Sequence, residues 1–377
     1  MTLPTAIDPQ ARLQQIAQAR RAVLQEGGPV SDALMQQGGF GQPWLERSWR
    51  RCLEGGRHPQ QRLAFDVVAP QALRRVQDAN HTLASAARPV LERLARAIAS
   101  TRYFAILTNA DGVVIDAQGP IDRADRRAQL ITRVGVDLSE RAVGTTAIGA
   151  ALAELQPVWL HRGEHFFDDN GCYSCAGAPL FGPDGSCVGM LDLTGIDAVE
   201  RPELRHLAAQ SARSIENALL QAQPHALRLH LNWPGRALGG DDDGLLVLDA
   251  DGWVRGCNPA AREMAPALDS RGAPVHCSEL FAQPWEPLFD MARQAAPQPS
   301  ELALWSGLCV AALAQRGDAA AGAAQAPLRE VEDSLIRRAV AQARGNVAQA
   351  ARTLGISRAT VYRKLAQKPT LPGPHGR

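Results

Sequence analysis

The chain has 377 residues, 45% of them apolar, which leaves room for two or three domains with real cores and excludes wholesale disorder. Its first residues carry no apolar signal segment. The longest nearly apolar stretch, Leu302 to Ala314, is too short to span a bilayer, so a cytoplasmic location without a membrane partner is expected. The formal net charge of +1 hides a division: Leu328 to Arg377 holds ten Arg and Lys against three Asp and Glu, and the remainder is net negative.

Two further counts narrow the chemistry. Seven cysteines in a reducing compartment point to free thiols, metal or redox chemistry rather than a disulfide framework. The only lysines are Lys364 and Lys368, and neither follows a glycine. A P-loop needs a lysine there to reach the β- and γ-phosphates, so a Walker-type ATPase is excluded and no ATP is expected.

In chain order, Ala11 to Leu24 and Gln71 to Leu94 carry apolar residues at helical spacing. Between them Trp44 to Cys52 reads as a helix with Leu45, Trp49 and Cys52 on one face, stopped by Gly55-Gly56 and His58-Pro59. Phe104 to Thr108 and Val113 to Asp116, joined by Asn109-Ala-Asp-Gly112, predict a hairpin. A helix over Thr145 to Leu155 and a strand over Gln156 to Leu160 follow. A second hairpin turns at Gly182-Pro-Asp-Gly185, and a helix over Pro202 to Gln221 closes this region. Such an order is α+β: an antiparallel sheet with helices on its faces. Gly244 to Asp249, the turn Ala250 to Gly252, Trp253 to Arg255 and a helix opening at Asn258 start another unit. Gly317 to Pro327, nearly all Ala and Gly, reads as a linker, and no fixed-period repeat is present.

The C-terminal region predicts three helices. Leu328, Val331, Leu335, Ala339 and Val340 share one face of the first, which ends near Gly345. Asn346 caps Val347 to Leu354, Gly355 ends it, and Ser357 caps Arg358 to Leu365. The last two make a helix-turn-helix. Val361 and Leu365 face the core. Arg358, Thr360, Arg363 and Lys364 then face outward, with Arg358 placed for bidentate contact to guanine. Thr360, Arg363, Lys364 and Asn346 suit the phosphate backbone of double-stranded DNA, and the cap residue Ser357 completes the expected DNA-binding set. An acidic body with this basic tail is the layout of a sensor joined to a nucleic-acid reader.

Residues 328–367, above all Gly345 to Leu365, closely resemble the Fis-type DNA-binding domain of bacterial enhancer-binding regulators, with Val361 where leucine is usual. The resemblance implies a homodimer on a two-fold DNA site. Ser48-Trp-Arg-Arg-Cys52 with His58-Pro59, Leu138 to Leu152, Glu164-His165-Phe166, Cys175 to Pro179 and Gly189 to Gly195 resemble the sensor of acetoin-catabolism-type regulators. That resemblance implies a multidomain α+β chain. It comprises a helical N-terminal segment (1–84), a GAF domain (85–222), a short PAS-like domain (240–313), an Ala/Gly linker (314–327) and the Fis-type reader (328–368). Such regulators carry a sigma-54-contacting ATPase between sensor and reader. Here that place holds the linker, so ATP-driven activation is not expected, and repression, activation by simple recruitment of RNA polymerase, or modulation of a full-length relative stay open.

The sensed signal is open at this point. His161, His165, Cys172 and Cys175 lie within fifteen residues, and Cys172-Tyr-Ser-Cys175 has metal or redox spacing. A small-molecule effector in a packed pocket is favoured over a metal or thiol switch. Cys187, Trp49, Trp159 and Trp253 are expected in cores. The leading reading is a sequence-specific regulator with no enzymatic activity. An architectural DNA-bending protein and a CxxC thiol redox enzyme are its alternatives.

Overall fold

In a computed structural model of the chain the described residues are 9–29, 43–65, 68–269, 273–294 and 298–317, with Val340, Val347, Gln349, Ala351 and Val361. Two compact units are distinguished: Met1–Gln223 with Leu227–Gln315, and Pro224–Ala226 with Arg316–Arg377.

The first unit opens with helices α1 (Pro9–Arg20), α2 (Pro43–Glu54), α3 (Pro70–Ala79) and α4 (His81–Ala97). The helix expected from Gln71 to Leu94 is interrupted at Asn80, which ends α3. A five-stranded antiparallel sheet follows, made of β1 (Tyr103–Asn109), β2 (Val114–Gln118), β3 (Val158–His161), β4 (Tyr173–Phe181) and β5 (Cys187–Ile196) in the order β2-β1-β5-β4-β3. Three short helices lie between β2 and β3: α5 (Arg126–Ile131), α6 (Glu140–Val143) and α7 (Ala147–Glu154). Each starts where a side chain can satisfy an orphan backbone donor. Asp125, Ser139 and Thr146 accept from the N–H groups of Arg127, Ala142 and Gly149. The long helix α8 (Leu204–Gln221) closes the domain.

Period-two alternation divides the sheet between two cores. Tyr103, Ala105 and Leu107 of β1, with Leu191 and Leu193 of β5, pack on Leu83, Leu91 and Leu94 of α4 and on Ala208 and Ile215 of α8. Phe104, Ile106 and Met190 turn the other way, onto Trp44, Leu45, Trp49, Ala147, Ile148 and Phe166. The expected face of α2 is found: Leu45, Trp49 and Cys52 are all buried.

A second antiparallel-type sheet follows, with β6 (Leu227–Asn232), β7 (Gly244–Leu248), β8 (Val254–Cys257), β9 (Ser300–Ala303) and β10 (Cys309–Arg316) in the order β8-β7-β6-β10-β9. Helices α9 (Pro259–Met264) and α10 (Glu286–Met291) accompany it. Its central strand, β6, lies before residue 240 and was missed in the sequence, where Leu227-Arg-Leu-His-Leu-Asn does alternate. Trp253, expected in a core, is 39% exposed, because it stands at the open end of a ladder with His276 and Trp285. Cys187 is half-buried, at the start of β5.

The second domain grows directly from α8. Leu220 forms a small core with Leu245 and Val247, and the Asn258 side chain donates to Asn217 (2.9 Å). Asn258 also accepts from the Leu245 and Ala261 N–H groups and donates to the Asp243 carbonyl, so this buried amide is fully used.

In the second unit, Ala351 and Val361 are buried together with Val340 and Val347 alongside, as the helical pattern requires of Val361. Arg358, Thr360, Arg363, Lys364, Asn346 and Ser357 lie outside the described residues. No helix among those described is long and apolar enough to cross a membrane.

Candidate functional site

A cavity of about 30 Å³ lies between the first sheet and the helices over it. The sheet supplies Ile106, Cys175, Asp192 and Thr194. The covering segments supply Phe65, Val143, Thr146, Ala147, Ile148, His165 and Asn170, and Tyr173 at the start of β4 completes the lining. Such a space holds roughly a few non-hydrogen atoms. A larger groove of about 590 Å³ between β2 and α5 is open to solvent and lined by partly exposed polar side chains such as Asp116, Arg123 and Gln129.

What distinguishes the smaller cavity is polarity without partners. His165 is 1% exposed and its Nδ1 stands 2.8 Å from the Arg162 carbonyl. A carbonyl only accepts, so Nδ1 carries the hydrogen and Nε2 is a bare acceptor. That Nε2 has no hydrogen-bond partner among the described residues. Burial pushes the imidazole down to about 4, so the ring is neutral. Asp192 is also 1% exposed; its Oδ2 accepts from the Thr194 hydroxyl, and Oδ1 is unpartnered. Burial pushes its carboxyl up to about 7. The cavity therefore presents an acceptor and a carboxyl that is about half protonated near pH 7 and fully protonated at lower pH. Buried polar atoms left unpaired cost about 1–3 kcal/mol each, a cost that a hydrogen-bonding guest would recover.

The structure separates the four residues grouped by the sequence. His165 and Cys175 line the cavity. His161 points to the other face of the sheet, stacked on Trp159 and bonded through Nδ1 to Ser174 (2.8 Å). Cys172 sits just before β4, half-buried, its Sγ 3.9 Å from the Asp169 carbonyl. Its carbonyl accepts from Asp197 N–H, and it stands in the turn before β4, packed against the same core as Cys175. Both cysteines are free thiols, and only Cys175 lines the cavity. Burial raises both thiols, Cys175 well above its ordinary value, the reverse of what a reactive thiolate needs. Among the described residues no three His, Cys, Asp or Glu side chains converge as metal ligands.

Asp192 and Thr194 were missed by sequence reasoning, although the signal is there. In Met190-Leu-Asp-Leu-Thr they are the polar pair on one face of an otherwise apolar strand.

Residues 327–367 match the family described as "Bacterial regulatory protein, Fis family". A pocketed α+β domain followed by such a segment is the build of a bacterial regulatory protein. Residues 18–217, just over half of the chain, match the family described as "MimR, N-terminal domain", and the chain belongs to that family. It is 32% identical over 254 residues to the acetoin catabolism regulatory protein of Cupriavidus necator, covering 65% of this chain and 37% of that protein. To the propane 2-monooxygenase operon transcriptional activator MimR of Mycolicibacterium goodii it is 29% identical over 268 residues, covering 70% and 42%. The chain thus spans less than half the length of these relatives. A solved chain of the Escherichia coli DhaR(N)–DhaL complex is similar at 16% identity with a TM-score of 0.46, covering 72% of this chain and 99% of that one.

Proposed function

We propose that the chain is a sequence-specific, DNA-binding transcriptional regulator that couples occupancy of the buried pocket to promoter binding. The observation that carries this reading is the presence, on one chain, of the MimR N-terminal match and the Fis-family match. The first sheet domain is read as a GAF-type sensor and the second as PAS-like. Their five-stranded sheets with helices packed against them support both readings. The effector is a small molecule of mainly apolar character with a hydrogen-bonding group, because the cavity is mostly apolar and offers one bare acceptor and one buried carboxyl. The reader binds double-stranded DNA as a homodimer through Arg358, Thr360, Arg363, Lys364, Asn346 and Ser357.

Regulation proceeds without ATP hydrolysis by this chain. Residues 218–326, between the two matched segments, hold the second sheet domain and the Ala/Gly run, and no lysine precedes Lys364.

The test is selection of bound sequences from random DNA by the full chain and by Arg358→Ala. An inverted repeat enriched by the first and blurred at one position by the second is expected, with about 1–3 kcal/mol of discrimination lost. Binding without enrichment, unchanged by the substitution, would mean an architectural DNA binder instead. Loss of effector response in His165→Leu, with DNA binding intact, is the expected result for the pocket.

A further inference from the structure

The pocket walls that do not belong to the sheet are held from the far end of the chain. Arg12 of α1 is 4% exposed and pairs with Glu164, itself 2% exposed, with Glu200 at 3.6 Å from the same guanidinium. Arg20, two turns further on, donates to the carbonyls of Gly163 (2.9 Å), His165 and Phe166 (3.2 Å), and pairs with Asp168. The Trp49 indole of α2 donates to the Glu164 carbonyl (2.8 Å). Each residue from 163 to 166, the segment carrying His165, is therefore tied to a helix more than a hundred residues earlier.

The opposite wall is held in the same way. Ser48 contacts Thr145 (2.8 Å) and Glu140 (2.6 Å), and Arg51 forks onto Glu140 at 2.8 and 2.9 Å, beside the cavity-lining Thr146 to Ile148. Phe65, beyond α2, lines the cavity directly. Immediately after Arg20 the helix passes into a π-helical turn, Arg21–Gln25, a rare geometry that marks functional segments more often than chance.

We infer that α1 and α2 form a latch over the pocket, with the Arg12–Glu164 pair as its bolt. An effector larger than the closed cavity enters only when the bolt releases, and its entry displaces the N-terminal helices. The inference rests on the pocket being the effector site, as proposed above. A buried ion pair suits this role because its two charges are stable together and costly apart, which gives two discrete states rather than a continuum.

Cys175 lines the cavity and is fully enclosed, so its alkylation by N-ethylmaleimide reads pocket opening without any effector. Cys257 and Cys277, buried in the second domain, report unfolding of that domain. The full-length chain is compared with Arg12→Met, and with Arg12→Met combined with Glu164→Gln, which strands no charge. Labelling of Cys175 about tenfold faster or more, with Cys257 and Cys277 unchanged, is expected. An unchanged Cys175 rate would overturn the inference, as would equal acceleration of all three cysteines, which would make the pair a plain fold stabiliser. Hydrogen exchange of the unsubstituted chain gives a second reading that needs no variant. Amides of α1 and of residues 163–166 should open together and before those of β1 and β5, and exchange only with the sheet would refute the latch. Should the pocket bind no effector at all, these opening rates would still stand, so the two ideas fail separately.

Discussion

Asp192 and His165 face one cavity and titrate in opposite senses. The folded chain holds the Asp192 proton more tightly than an unfolded chain does, with the carboxyl raised to about 7 by burial. Its contribution to stability is therefore complete below the ordinary carboxylate range and is lost as pH rises through about 7. His165 is lowered to about 4, so its contribution is present above the ordinary imidazole value and is lost as pH falls through about 4. Asp192→Asn keeps the shape and removes one titration. Thermal melts should show the variant gaining on the unsubstituted chain between pH 5.5 and pH 8, by on the order of 2 kcal/mol. A gap of the same size at both pH values would show that Asp192 holds no such proton. Glu164 and Glu216, both pushed up to about 7 by burial, leave the variant a residual loss of stability in the same direction as pH rises.

At the scale of elements, tolerance is set by close approach. A Cβ on Gly189 of β5 would stand 2.2 Å from the Thr108 carbonyl oxygen of the neighbouring strand. Backbone cannot yield as a side-chain tip can. Gly189→Ala should cost about 2–4 kcal/mol, read as a shifted denaturation midpoint with an unchanged slope, and a neutral outcome would mean that β1 and β5 can part locally. Asn258→Ala should cost about 2 kcal/mol, because it removes a helix cap and leaves several buried groups unpaired. Many of these elements were legible beforehand. Both hairpins of the first sheet, α2 with its buried face, and α8 stand within a few residues of where periodicity and turn residues put them. Three features were not. The break at Asn80 has no proline or glycine to announce it. β6 was passed over because its neighbours, Gln221 to Ala226 and Trp233 to Asp243, look like linker. Residues of the cavity come from six separated segments, and convergence in space leaves no trace in spacing. His165 and Cys175 were found through a pattern they share with His161 and Cys172, which the fold then sends elsewhere.

For the whole molecule, helix α8 is the decisive feature. It packs on the first sheet through Ala208 and Ile215, and its last turns give Asn217 and Leu220 to the second domain. The β4–β5 turn adds to the same joint, with the Pro183 carbonyl accepting from Cys257 N–H (3.0 Å) and from Arg262 (3.1 Å). No seam exists where the sequence suggested one, between 222 and 240. This bears on how such regulators can be recombined. A chimera joined at residue 240 would give the second domain no β6 and leave Leu220 without its partners, and it should be recovered aggregated or proteolysed. A crossover within the Ala/Gly run 318–327 cuts neither sheet, and the chimera should express as soluble protein with its melting transition preserved. The unit of exchange in this chain is then both sheet domains together, so a reader could acquire a new specificity for its signal only by taking the pair at once.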